Sequence, residues 1–239
     1  WDLISVSMGV QMEDKRDLVA ISKANKRVDY ITIDIAHGYC ERMKIAIKAV
    51  KRFLPNTIII AGNVATPDAV RTLADWGADI VKVGIGQGSP CTTKDKTGFT
   101  MPMFSCVREC SKVFAGAFEE SHPVPIIADG GVRCNGDISK AIVAGAKLVM
   151  AGGMFASCSD SPALSSAING VNHKAYFGSA SLENKGHGNH IEGKLNHITA
   201  SNMTYEFKLN EIKQDIQSAI SYAGGNNLLA FEEVRHIEV

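Results

Sequence analysis

The sequence carries no excess of either charge: 25 lysines and arginines stand against 25 aspartates and glutamates. A balanced chain sets up no broad field toward nucleic acid or an anionic membrane surface, so any phosphate recognition has to come from a local site. No apolar run is long enough to cross a bilayer as a helix. The start, Trp1-Asp2-Leu3-Ile4-Ser5-Val6-Ser7, lacks the basic leader and long apolar stretch of a signal peptide. The six cysteines, at 40, 91, 106, 110, 134 and 158, form no CxxC pair and no His/Cys metal spacing. A chain of 239 residues, 45% of them apolar, can bury a sizeable core without disulfide staples. Free thiols in a reducing cytoplasm are therefore expected.

What is present is an alternation. Leu3–Met8, Tyr30–Ala36, Thr57–Ala61, Ile80–Ile85, Pro125–Ala128 and Lys147–Ala151 are short, rich in Val and Ile, and end in Gly or a polar residue. Strands buried on both faces of a parallel sheet have this composition. Helical patterns lie between them at Glu41–Phe53, Ala69–Trp76 and Ile138–Ala144. Thr66-Pro67-Asp68 has the form of an N-cap with Pro at the first helical position. Gly77 and Gly145 stand where a left-handed residue would end a helix before the next strand, and Asn25 to Asp29 repeats that phrase more loosely. The order is α/β, and its repetition favours a (β/α)8 TIM barrel over an open sheet. Six strands are counted against the eight of a closed barrel, so the first two βα units are expected to be missing from this chain. The expected division is a barrel domain over 1–175 and a flap with a helical tail over 176–239. Within the latter, Tyr176–His197 is expected to be a mobile flap, Met203–Phe207 a strand and Leu209–Tyr222 an amphipathic helix.

The chemistry-bearing residues sit at strand ends. Gly84-Ile85-Gly86-Gln87-Gly88-Ser89-Pro90-Cys91-Thr92-Thr93 follows a strand, at the mouth where barrels place their chemistry. Glycines let the backbone approach a ligand, and a cysteine there is placed like a nucleophile whose thiolate would be favoured by N–H dipoles and a nearby cation. A small buried cysteine in a tight turn fits the same pattern. In Ile126–Arg133, a strand ends in Asp129, which can accept from ribose hydroxyls. Gly130 and Gly131 follow, with amides suited to phosphate. Gly152-Gly153 lies one βα unit later, as in the phosphate sites of barrels; two tight turns are the plain alternative. Asp34 and Asn63 also close strands and could reach a cofactor or merely cap turns.

These motifs resemble the IMP dehydrogenase/GMP reductase family, from Ser5-Val6-Ser7-Met8-Gly9 to Ser218–Gly225. Gly84–Thr93 is similar to its catalytic loop, Ala128–Gly131 to its ribose and phosphate loop, and Gly152-Gly153-Met154-Phe155 to its second phosphate loop. Lys96-Thr97-Gly98, Asp34–Tyr39, Tyr176–Ser181 and Ser218–Gly225 resemble the bacterial-type reductase branch, and the dehydrogenase's Arg-Tyr flap pair has no obvious counterpart.

The resemblance implies reductive deamination of GMP to IMP with NADPH. Cys91 would be the nucleophile, with Thr93 and a flap glutamate, Glu183, as proton relay. It places GMP on Ser89, Asp129, Gly130, Gly131, Gly152, Gly153, Tyr176, Ser179 and Ser181. NADPH would meet Asp34, Asn63 and Lys82, with Ser218 and Tyr222 reaching a neighbouring subunit's cofactor in a homotetramer. Carbonyls of Gly86, Gly88 and Cys91 would hold a potassium-like monovalent cation. Two departures stand out: Leu182 occupies the family's glutamate position, one residue before Glu183, and Pro90 replaces a small or aliphatic residue beside Cys91. An IMP dehydrogenase, an inactive nucleotide-binding barrel fragment, and an aldolase-like barrel using Lys82 are the competing alternatives.

Overall fold

The computed structural model describes residues 2–114, 124–186 and 188–236. The expected flap and tail include His187 and 237–239, and the expected barrel domain includes Trp1 and 115–123, all outside the described residues. All six apolar runs form strands: β1 (Ser5–Met8), β2 (Tyr30–Asp34), β3 (Ile58–Val64), β4 (Ile80–Val83), β5 (Ile126–Asp129) and β6 (Leu148–Met150). They lie in one sheet in the order β1-β2-β3-β4-β5-β6. The registers from β1 to β5 are parallel, pairing Ile31 with Ile59 and Ala61 with Val81. Chain order equals spatial order and helices make the crossovers, which is the α/β pattern of a barrel wall.

Helices α1 (Met12–Lys23), α2 (Glu41–Phe53) and α3 (Pro67–Trp76) follow the first three strands. On α2 the buried residues are Met43, Ala46, Ile47 and Val50, an i, i+3, i+4, i+7 stripe; Ile45 faces solvent. That stripe, with Val70 and Leu73 of α3 and Ile31, Ile33, Ile59, Val81 and Val83 of the strands, forms the core of this part. Each of these side chains other than Ala46 contributes about 1.5–3 kcal/mol of transfer free energy. The Thr66 hydroxyl accepts the amide of Ala69, and Gly77 ends α3 at φ +112°. A residue with a Cβ would be strained at that angle.

The chain divides into two compact units. The first comprises Trp1–Ile85, Cys106–Ala128 and Ala146–Leu148; the second comprises Gly86–Ser105, Asp129–Gly145 and Val149–Val239. Helix α4 (Thr93–Thr97) belongs to the second unit, and α5 (Met103–Ser111) runs across the division at Ser105. The second unit also contains α6 (Asn135–Val143), α7 (Gly153–Ala156), α8 (Leu182–Lys185) and α9 (Tyr205–Tyr222). Its own sheet is antiparallel: β7 (Ser165–Ile168), β8 (Val171–Tyr176) and β9 (Asn196–Thr199).

One expected strand is overturned. Met203–Phe207 is not a strand; its residues from Tyr205 onward are the first turn of α9. The Thr204 hydroxyl accepts the Phe207 amide at 3.3 Å, and the Asp160 carboxylate accepts the Tyr205 amide at 2.8 Å. Two capped amides start the helix here, and tertiary context overrides the local alternation.

Helix α6 depends on Asp137, whose carboxylate accepts the amides of Arg133 at 3.0 Å and Cys134 at 3.3 Å. Burial works against its charge, but these amides, the Cys134 thiol and Lys140 outweigh it and hold Asp137 below its ordinary 3.8. A depressed carboxylate adds stability above its unfolded value and loses it as pH falls through the folded value. Asp137→Ala is expected to cost about 1–2 kcal/mol in urea unfolding at neutral pH. The difference from the parent protein should shrink as pH falls below 3.8.

Candidate active site

The Cys91 loop is held in shape by its own backbone: the Cys91 amide donates to the Gly88 carbonyl at 2.9 Å. The next turn enters α4, which ends at Gly98 with φ +74°. The Cys91 thiol donates to the Thr93 hydroxyl at 3.3 Å, and that hydroxyl donates to Glu192 Oε2 at 2.6 Å. Thiol, hydroxyl and carboxylate thus form one proton path, with a short charge-accepting bond at its end. All three side chains are half-buried.

The carboxylate on Thr93 is Glu192, not Glu183. Glu183 lies in α8 and faces solvent. Glu192 reaches the site because residues 192–194 run antiparallel to the loop: the Thr92 amide donates to the Glu192 carbonyl and the Lys194 amide to the Pro90 carbonyl, each at 2.9 Å. Cys91 and Gly193 are bridge partners. A Cβ on Gly193 would lie 2.9 Å from the Ser181 nitrogen and 3.1 Å from its Cα, so this close passage requires glycine. In the sequence, the sole hint was a glutamate beside that glycine in a polar segment.

Around this path the second unit gathers several of the expected substrate residues. A Cβ on Gly130 would lie 3.1 Å from the Gly88 nitrogen, which puts the Asp129–Gly131 turn against the Cys91 loop. The Gly130 amide is not free as expected; it donates to the Met150 carbonyl at 3.4 Å, continuing the strand pairing past the end of β5. Gly152 and Gly153 open α7, whose first amides have no acceptor within the helix. A Cβ on Gly152 would sit 2.0 Å from the Tyr176 hydroxyl oxygen, so the phenol lies directly over this turn. Burial, and then the Asp129 charge, raise the Tyr176 phenol above its ordinary value, leaving it a protonated donor at neutral pH. Ser89 accepts a bond from the Asn196 amide at 3.1 Å. Ser179 is exposed, whereas Ser181 is buried and its hydroxyl donates to the Gly178 carbonyl at 2.5 Å. Ser181 therefore shapes the turn before α8.

The expected cofactor residues at strand ends lie in the first unit. Lys82, 2% exposed, forms an ion pair with Asp34 at 3.1 Å, and the Asp34 side chain is 47% exposed. Asn63 donates to the Gly84 carbonyl at 2.7 Å. A buried cation thus anchors a carboxylate whose outer face stays accessible, an acceptor suited to an amide N–H. In the second unit, Ser218 and Tyr222 lie one turn apart on α9 and face solvent, Tyr222 at 95% exposure. Of the carbonyls expected to hold a cation, that of Gly88 already accepts the Cys91 amide, leaving one lone pair.

Comparison with known proteins decides the family. Residues 3–237 match the IMP dehydrogenase / GMP reductase domain. The chain belongs to the IMP dehydrogenase/GMP reductase family. It is 45% identical over 237 residues to the GMP reductase of Oenococcus oeni, covering 98% of this chain and 71% of that protein. The GMP reductase of Chromobacterium violaceum is 42% identical over 241 residues, covering 98% of this chain and 72% of its own length. That of Bacillus subtilis is 43% identical over 237 residues, covering 98% and 70%. This family member thus carries the Cys91–Thr93–Glu192 path beside a glycine and tyrosine cradle.

Proposed function

We propose that this chain is a GMP reductase, an oxidoreductase that converts GMP to IMP and ammonia at the expense of NADPH in purine nucleotide salvage. The observation that carries it is the continuous path from the Cys91 thiol through Thr93 to Glu192. The thiol proton passes along this path to Glu192, and the sulfur bonds to C2 of the purine. Glu192, through Thr93, returns a proton to the C2 amino group; the C–N bond breaks and ammonia departs. NADPH, when bound, supplies the hydride for C2. The C–S bond then breaks, its electron pair leaving on sulfur; IMP departs, and the Cys91 thiolate takes a proton from solvent to restore the thiol. Covalent capture divides one difficult displacement into two easier steps.

Tyr176, the α7 amides, Ser89 and the Asp129–Gly131 turn fit the phosphate and ribose of the nucleotide. Gly152→Ala tests this cradle. The added methyl displaces the Tyr176 hydroxyl and should raise KM for GMP by about ten-fold with little change in Tm, the loss of roughly one good hydrogen bond. Asp34, held by Lys82 and flanked by Asn63, fits the nicotinamide carboxamide. Ser218 and the exposed ring of Tyr222 fit a role toward a neighbouring subunit's cofactor in a homotetramer. A potassium-like ion on the carbonyls of Gly86, Gly88 and Cys91 would stiffen the catalytic loop. Residues 176–239 would act as flap and tail, and the enzyme would work in the cytoplasm.

The test is to follow reduced nicotinamide absorbance with GMP and NADPH, and separately with IMP and NAD. GMP-dependent oxidation of NADPH is the expected result. Turnover with IMP and NAD alone would replace the reductase with a dehydrogenase, and GMP binding without turnover in either assay would mark an inactive nucleotide-binding barrel.

A further inference from the structure

The Lys96-Thr97-Gly98 motif lies outside the proton path, yet its lysine is tied to the segment that delivers Glu192. Lys96 stands three residues after Thr93 on α4, so the two side chains share a face of that helix. Its ammonium donates to the carbonyl of Ile191, the residue immediately before Glu192. On the other side of Glu192, Gly193 bridges Cys91 and the Lys194 amide donates to the Pro90 carbonyl at 2.9 Å. The catalytic loop and α4 thus grip the glutamate's backbone from both flanks. The carboxylate between them reaches Thr93 at 2.6 Å.

We infer that Lys96 is a positioning residue that fixes the Ile191–Glu192 peptide and thereby aims the Glu192 carboxylate at Thr93. The inference rests on the reductase function proposed above. A charge-assisted bond to a carbonyl is among the stronger single contacts available to an exposed side chain. Releasing it leaves that peptide held, among the described residues, only by the Glu192 amide, which donates to the Ala180 carbonyl at 3.1 Å, and small misplacements of an acid–base group lower the rate of the step it serves. The nucleotide's phosphate and ribose contacts lie elsewhere, on Tyr176 and the glycine turns. Losing Lys96 should therefore slow the chemistry and leave nucleotide affinity intact.

The experiment compares the parent protein with Lys96→Met, which keeps the length without a donor, and Lys96→Arg, which keeps a cationic donor. With GMP and NADPH, Lys96→Met is expected to lower kcat about ten-fold, with KM for GMP within about two-fold and Tm unchanged. Lys96→Arg should recover kcat to within about three-fold of the parent. Should Lys96→Met fail to melt cooperatively, Lys96→Gln, an uncharged N–H donor, takes its place and is expected to give an intermediate kcat. Parental kcat in Lys96→Met overturns the inference. So does a matching change in KM and kcat, or no recovery with arginine, because each would mark a lysine that serves the fold alone. A parent protein that fails to oxidise NADPH with GMP overturns the reductase function itself, a result distinct from an active parent with an indifferent Lys96 variant.

Discussion

Cys91→Ala is expected to reduce GMP-dependent NADPH oxidation by a factor on the order of 10⁴ or more. Without the sulfur there is no covalent capture, so ammonia would have to be displaced directly by hydride at C2. The cradle proposed for the nucleotide does not include the thiol: Gly152, Tyr176 and the Asp129–Gly131 turn are unchanged. GMP is expected to raise Tm in the variant by as much as in the parent. Measuring turnover and this thermal shift together separates the two roles. Retained turnover would exclude the covalent step, and a lost shift would mean that the cysteine organises the site instead of reacting in it.

The second large effect is expected at Glu192, the glutamate bonded to Thr93. Glu192→Gln leaves an amide that can accept a hydrogen bond from Thr93 but cannot take its proton. General acid–base catalysis contributes about 10²–10⁴ in rate, so kcat should fall by that range with KM for GMP little changed. Glu183→Gln, on the exposed face of α8, should leave kcat within about two-fold of the parent. The two variants differ by nine positions in a polar segment and by nothing in chemistry. Steady-state kinetics on both therefore tests the geometry directly. Loss of activity in Glu183→Gln with Glu192→Gln unaffected would return the relay to the flap residue that follows Leu182.

Those two residues also show where the sequence is informative. The parallel strands were legible because burial on both faces leaves a compact signature of Val and Ile closed by glycine. The helix ends at Gly77 and Gly145 were legible because a left-handed φ favours glycine, and both residues adopt one, +112° and +110°. The antiparallel strands β7 to β9 were not legible. Ser165–Ile168 is exposed along its whole length, so it lacks the alternation of a half-buried strand. Met203–Phe207 misled for the opposite reason: its local alternation gave way to caps from Thr204 and Asp160. The Gly84–Thr93 loop stood out by its glycines and cysteine, which left a nucleophile and a cysteine in a tight turn equally open. The carboxylate that Thr93 meets could not be read there, since nothing in the order of residues says which one crosses 99 positions to reach it. The amide of Gly130, expected to be available to a phosphate, is turned toward Met150 by strand pairing, a feature that only the three-dimensional register exposes.

That long crossing has a bearing on how the protein comes into being. Ser89 and Asn196 are 107 positions apart, and the other ties between catalytic loop and flap span nearly as far. Contacts so distant in sequence form late, after the intervening chain has been synthesised and packed. A nascent polypeptide exposes Cys91 well before Glu192 has left the ribosome, so the Cys91–Thr93–Glu192 hydrogen bonds close only after the flap segment has been made. A copy that ends before residue 192 would keep the cysteine and Thr93 but not the carboxylate that completes their hydrogen-bonded path.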